Sequence, residues 1–309
     1  MTALLEVACH LPGQPVPIED TAPRTDTGRH EMRIFRRFYG LDAVHRAPGQ
    51  DLCALHAAAA RSLASLRGQE HRVRYVALAR TVSTVAPADR LPPEEVCAAL
   101  GLPHAVAFTV TQHACASGLL AVDAVGRLLT ADGDPDALGL VLMGERVFLE
   151  SLQQVPGSTV MGESTAAVLV TADGARDRLL SYATHTDGRH AEGTPPLPVA
   201  PEFFKEHNTL LAGVIREAVQ TAGIELTDLA LVLPHNVNRT VWRRLATDLG
   251  LSRDQIFLDN IPVTAHCFAA DPFINHVHAR ERGLLHPGDL YLMATVGLGS
   301  TFSAAVLRH

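Results

Sequence analysis

The chain has 309 residues, 47% of them hydrophobic, a length that supports two domains or one intimate pair of halves. Its net charge is −7, its only lysine is Lys205 and its arginines are scattered, so it lacks the dense positive face that a nucleic-acid partner requires. Five cysteines, Cys9, Cys53, Cys97, Cys115 and Cys267, form no CxxC pair, which argues against a disulfide framework or a thiolate zinc site and fits a cytoplasmic protein.

The opening stretch MTALLEVACHLPGQPVP has no basic start ahead of a long apolar run, and no later window approaches the ~18 continuous apolar residues of a membrane span, so neither secretion nor a membrane partner is expected. Short apolar runs follow at Tyr75–Ala79, Ala105–Val110, Leu138–Met143, Ala166–Val170, Leu229–Leu233 and Leu290–Thr295. They lack polar alternation, as expected of strands covered on both faces. Helical patterns lie between them at Asp51–Arg67, Cys115–Thr130, Phe204–Ala222, Thr240–Leu249 and Phe268–Gly283. The alternation predicts an α/β fold with mainly parallel sheets. Residues 10–30, 86–93, 131–136 and 187–202, rich in Pro, Gly and charge, read as loops, the last as a linker or an active-site lid.

An internal repeat is the stronger signal. LGLPHAVAF (Leu100–Phe108) leads to Cys115, a helix, LVLM (Leu140–Met143) and STAAVLV (Ser164–Val170); LGLSRDQIF (Leu249–Phe257) leads to His266, a helix, LYLM (Leu290–Met293) and STFSAAVL (Ser300–Leu307). Leu100 to Cys115 is 15 residues and Leu249 to His266 is 17, while Cys115 to Met143 is 28 and His266 to Met293 is 27. The repeat divides the chain into duplicated halves, residues 1–172 with the cysteine and 173–309 with two candidate histidines, and puts Cys115 and His266 at equivalent strand-to-helix turns.

Cys115, in VTQHACASGLL, opens a nearly all-apolar helix whose positive end favours thiolate over thiol, while Ala114, Ala116, Ser117 and Gly118 leave room for a substrate. The other four cysteines read as packing residues. His235 follows the strand Leu229–Leu233, at a C-terminal strand end where ligand and catalytic groups of open α/β sheets gather. In TVGLGSTF, Gly297 and Gly299 permit backbone N–H groups near Leu298 to approach a reacting carbonyl, though a tight hairpin needs glycine as well. Sixteen histidines and NHVHARERGLLH raise a metal reading, but His276 and His278 are two apart on a predicted helix and face different ways, so no metal is expected. Glu145 and Glu163, near the junction of the halves, are expected to be structural.

The order of ACASG, PHNVN, a polar residue at a later helix start and GLLHPGDLYLMATVGLGSTFSAAVL resembles the thiolase-fold condensing enzymes, most of all the β-ketoacyl-acyl-carrier-protein synthase III branch. The resemblance covers about Tyr39 to His309. It implies duplicated αβαβα halves with five-stranded parallel or mixed sheets and buried central helices. It also implies a homodimer, no bound cofactor, and acyl thioesters of coenzyme A or acyl carrier protein as donors. By position Cys115 is then the acylated nucleophile, His235 the first active-site histidine, and His266 the residue where this branch usually has asparagine; Asn260 is a neighbouring alternative. A Cys-His-His set is instead characteristic of elongating ketoacyl synthases. The backbone of Cys115 and of Gly297, Leu298 and Gly299 would form the oxyanion hole, with Asn236, Asn238, Asn260 and Arg239 near the substrates. The tryptophan often found near residue 32 to stack on the adenine of coenzyme A is missing.

Two reactions fit an acyl-cysteine. A malonyl-type thioester could be decarboxylated and condensed onto it, with His235 and His266 as hydrogen-bond donors. Alternatively, an acyltransferase of secondary metabolism could move the acyl group to an alcohol or amine, with His235 as base oriented by His266 or by an acidic group such as Asp271. A non-catalytic partner subunit is a third reading, opposed by the presence of both Cys115 and His235.

Overall fold

The computed structural model describes residues 1–21, 26–82, 92–193 and 199–309. Nine strands form the main sheet: β1 (Ala3–His10), β2 (Val73–Ala79), β3 (Val106–Val110), β4 (Leu138–Met143), β5 (Thr165–Thr171), β6 (Arg178–Thr186), β7 (Leu229–Pro234), β8 (Leu290–Gly297) and β9 (Thr301–Arg308). Their spatial order is β7-β8-β9-β6-β1-β5-β4-β2-β3. Read outward from the seam between β1 and β6, the first half runs β1-β5-β4-β2-β3 and the second β6-β9-β8-β7. On the outer side of β7, a lone parallel bridge from Val232 to Ile256 stands where β3 stands in the first half.

The expected parallel pairing holds for β2 with β3, β2 with β4, and β7 with β8. The other neighbours are antiparallel, so the sheet is mixed. The departure comes partly from the antiparallel pairs β4 with β5 and β8 with β9, and partly from β1 and β6, which the sequence patterns do not reveal. Each carries a register shift, between Leu4 and Glu6 in β1 and between Leu179 and Ser181 in β6. Both mix polar residues among apolar ones, ALLEVACH in β1 and RLLSYATHT in β6, so neither stands out as an unbroken apolar run.

The principal helices are α1 (Leu52–Arg61), α2 (Ser117–Asp132), α3 (Pro201–Thr221), α4 (Arg239–Leu249) and α5 (Asp271–Glu281). Asp51 caps α1 by accepting from the Ala54 N–H, and Asn238 caps α4 by accepting from the Val241 N–H. The helix expected to reach Arg67 stops at Arg61, and a separate 3₁₀ turn follows at Ala64–Leu66. Likewise, the pattern starting at Phe268 is a 3₁₀ turn, Phe268–Ala270, running into α5.

Three apolar layers explain the unbroken burial of β4 and β5 and that of β8 and β9 up to their ends at Leu290 and Arg308. Leu119, Val122, Val125 and Leu129 of α2 share one core with Phe273 and Ile274 of α5 and with strand residues of both halves. Helix α1 covers the other face of the first half, and α3 and α4 cover the second. Residues Ala114–Asp132 are long and apolar enough to cross a membrane, with a mean hydropathy of 1.4, but more than half of this stretch is buried inside the protein. It is the core helix that carries the nucleophile candidate at its start.

Of the expected loops, 22–25, 86–91 and 194–198 lie outside the described residues, so the 187–202 lid reading is seen only in part. Its first portion is a 3₁₀ helix, Gly188–Gly193, with Ala191 on the wall of the cavity described below.

Candidate active site

After β3 the chain reverses through Gln112 and Ala114, whose φ angles are +70° and +46°. Cys115 follows in the short turn Ala114–Ala116 that leads into α2, and is 6% exposed. The second half does the same: Ala265, at φ +49°, precedes His266, and Phe268, at φ +56°, leads into α5. Left-handed non-glycine residues cost on the order of 1–3 kcal/mol each and gather at functional sites, so strain is held at both turns of the repeat.

The two turns meet. His266 Nε2 lies 3.3 Å from Cys115 Sγ, and His266 Nδ1 lies 2.5 Å from Asp271 Oδ2. Asp271 is fully buried and also accepts backbone N–H groups from Asn236 and Cys267, each at 2.6 Å. A carboxylate only accepts, so the proton of neutral His266 resides on Nδ1 and the Nε2 lone pair faces the sulfur. Burial works against an imidazolium here, but Asp271 and then Cys115 outweigh it and push the His266 pKa up to about 10.

His235 also reaches this cavity. Its ring centroid is 6.0 Å from that of His266, and its other face meets Trp242, whose indole N–H donates to the His235 carbonyl at 2.8 Å. Burial, then the neighbouring His266 and His207, hold its pKa well below the usual histidine value, so His235 stays neutral, with Nδ1 buried and unpartnered. Among the expected site residues, Cys115, His235, His266, Asn238, Leu298 and Gly299 line one cavity of about 940 Å³.

Other expectations need correcting. Asn236 is not on the cavity wall: its side chain is bonded to Asn275 and Thr264. Asn260 donates to Asn275 at 2.7 Å and faces His278 Nδ1 at 2.8 Å, so it is His266 that stands beside Cys115. Arg239 donates to the Gly40 carbonyl at 3.3 Å, away from the cavity lining. Asp271 orients His266 and not His235.

Gly297 is absent from the cavity wall for a steric reason: a Cβ there would lie 1.9 Å from the His113 carbonyl oxygen. The end of β8 thus packs directly on the nucleophile turn, and the Thr295 hydroxyl donates to the Cys115 carbonyl at 3.1 Å. Gly297→Ala is expected to lower stability by about 1–3 kcal/mol and to displace Cys115, read as a lower Tm together with slower alkylation of Cys115.

Burial raises the thiols of Cys9 and Cys267 to about 12, which keeps both protonated at neutral pH. Glu163 accepts from the backbone of Ala47 and Val147, and Glu145 pairs with Arg80, so both bind backbone or a neighbouring cation. His276 meets Asp177 together with His309 and Tyr291, whereas His278 turns to Asn260. Among the cavity residues that pattern reading missed are Thr81 and His207. Thr81 carried a usable signal, since it lies just beyond the C-terminal end of β2; His207, within a long helix pattern, carried none.

Residues 219–309 match the family described as 3-oxoacyl-[acyl-carrier-protein (ACP)] synthase III C terminal. The chain is 30% identical over 231 residues to the β-ketoacyl-[acyl-carrier-protein] synthase III of Rhizorhabdus wittichii, covering 69% of this chain and 70% of that one. The solved 3-oxoacyl-[acyl-carrier-protein] synthase III of Aquifex aeolicus superposes with a TM-score of 0.83 at 21% identity, covering all of both chains. The solved acyltransferase ChlB3 superposes with a TM-score of 0.85 at 18% identity, covering 99% of this chain and 97% of that one. With a thiolase-like fold and this degree of identity to a synthase III over more than two thirds of its length, the chain belongs to the β-ketoacyl-[acyl-carrier-protein] synthase III family of acyl-transferring enzymes.

Proposed function

We propose that the protein takes an acyl group from a coenzyme A or acyl-carrier-protein thioester onto Cys115 and passes it to an alcohol or amine, with Cys115, His266 and Asp271 acting as a triad. One observation carries this reading: His266 spans from Asp271, at 2.5 Å, to Cys115 Sγ, at 3.3 Å. Decarboxylative condensation calls for N–H donors at the malonyl thioester carbonyl. The Asp271 bond fixes a proton on Nδ1, so the proton that His266 exchanges is the one on Nε2: held beside the sulfur in the free enzyme, it leaves with the donor's thiol and frees Nε2 as a base, not a donor, toward the acceptor.

In the first half-reaction, Nε2 holds the proton given up by the Cys115 thiol as Sγ bonds to the donor's carbonyl carbon. The tetrahedral oxyanion is held by backbone N–H groups of Cys115 and the 297–299 turn. The donor's C–S bond then breaks, and its thiolate leaves with the proton from His266. In the second, Nε2 takes a proton from the acceptor, whose oxygen or nitrogen attacks the acyl carbon. The bond to Sγ breaks, and Sγ recovers that proton. Acylation also removes the sulfur charge that helps to hold a proton on His266, so Nε2 is more readily unprotonated and free to accept a proton when the acceptor arrives.

The second reading, condensation with a malonyl-type thioester, is favoured by the neutral His235 beside His266. Intact-mass measurement after incubation with acyl thioesters tests the shared first step. Adding malonyl thioester, or a panel of alcohols and amines, tests the second. Loss of the acyl adduct to an alcohol or amine without carbon dioxide is expected. Stoichiometric carbon dioxide release would overturn the proposal in favour of condensation, and an unmodified Cys115 across the donor panel would overturn both readings.

A further inference from the structure

We propose that Thr81 is a further catalytic residue, its hydroxyl donating to the Cys115 sulfur, and that the buried Arg80–Glu145 pair is the device that holds it there. The inference rests on Cys115 being the nucleophile and is independent of the acceptor.

Three neighbouring parallel strands supply the parts, each from its C-terminal end: β2 leads to Arg80 and Thr81, β3 to Cys115, and β4 to Glu145. The Arg80 N–H continues the register by donating to the Val110 carbonyl at 2.9 Å. Its guanidinium then makes two hydrogen bonds to the Glu145 carboxylate, at 2.7 and 2.9 Å, with both residues buried. Glu145 Oε1 also accepts the backbone N–H groups of Thr81, at 2.9 Å, and Val82, at 3.2 Å. One buried carboxylate thus ties down the strand-end peptide that carries the threonine. A buried ion pair is weak ground for stability, since well-packed apolar residues do as well, so its four hydrogen bonds onto this segment point to positioning.

What they position is a hydroxyl 3.7 Å from Cys115 Sγ, on the same sulfur that His266 approaches at 3.3 Å. Sγ bears negative charge twice in the cycle, as it loses its proton to attack the donor and again as it leaves the acyl carbon. A second donor favours both moments, because hydrogen bonds to an ionised acceptor are the stronger ones. Thr81 also lines the cavity, where a hydroxyl fixed on the sulfur narrows the space beside the acyl group.

The test is alkylation of Cys115 by iodoacetamide across pH, which needs neither acyl donor nor acceptor. Thr81→Val keeps the shape and removes the hydroxyl, Thr81→Ala removes it with a smaller side chain, and Thr81→Ser retains it. The pH of half-maximal alkylation is expected to rise by about 0.5–1 unit in the valine and alanine variants and to stay within about 0.2 unit of the parent in the serine variant. Because Glu145→Gln also removes a negative charge, its role is read as a double-mutant cycle: Thr81→Val is expected to shift the half-point less in a Glu145→Gln background than in the parent. Any Thr81 variant whose melting temperature departs from the parent is replaced by the other hydroxyl-free one. A hydroxyl-free variant that titrates with the parent, or a serine variant that shifts as far as the valine, would overturn the proposal while leaving the acyl-transfer reading untouched.

Discussion

Replacing His266 with alanine is expected to reduce kcat/KM for acyl transfer by about 10²- to 10⁴-fold, the range that a positioned acid or base contributes. The loss falls on both half-reactions, because Nε2 is the group within 3.3 Å of Sγ that can take the thiol proton. Time-resolved intact-mass measurement of the Cys115 adduct separates them: slow appearance reports the first step and slow disappearance the second. His266→Asn is the sharper variant. It replaces a group that can take up and return a proton by an amide that cannot, so transfer to an alcohol or amine is expected to fall at least as far as in the alanine variant. An asparagine variant that transfers to such acceptors at the parent rate would show that His266 is not the base.

Asp271→Asn is expected to cost about 10³- to 10⁴-fold in kcat with the fold retained, by analogy with the buried aspartate of a serine-protease triad. Asp271 accepts from His266 Nδ1, from Asn236 N–H and from Cys267 N–H. An amide there has one oxygen for three donors. Its NH₂ group faces either a backbone N–H or the imidazole, and facing the imidazole it forces the proton to Nε2, where it meets the thiol. The pH signature follows from the same bond. In the parent the raised His266 pKa keeps the imidazolium up to about pH 10. The stability this pairing contributes is therefore complete below the unfolded value near 6.5 and is lost as pH rises through the folded one. Without the carboxylate, burial dominates, and the imidazolium gives up its proton at lower pH. Thermal melts of parent and variant from pH 6 to 10 should converge at the alkaline end; parallel curves would mean that the pair is not charged in the folded protein.

The strands and helices around the site were legible because their residues obey local periods. β4 and β7 are unbroken apolar runs between turn residues, and α2 is apolar over most of its circumference. Internal repetition went further, since it set Cys115 and His266 at equivalent turns, and those turns share a left-handed alanine just before the functional residue. β1 and β6 stayed hidden because polar residues interrupt them, Glu6 in the first and Arg178, Ser181 and His185 in the second.

Partner choice among polar side chains was not legible. Asn236, Asn238 and Asn260 lie close to recognisable motifs, yet Asn238 alone faces the cavity, while the other two belong to a buried amide network centred on Asn275. Whether Asp271 orients His235 or His266 depends on how the start of α5 packs against the end of β7, and Asp271 pairs with His266. Sequence by itself determined the α/β class, the duplication and the identity of the nucleophile candidate, because these follow from periodicity and from equivalent positions in a repeat. Only the tertiary structure decided that the cysteine, a histidine and an aspartate form one line, because hydrogen-bond direction is fixed by which buried groups face one another within about 3 Å, and spacing along the chain does not encode it.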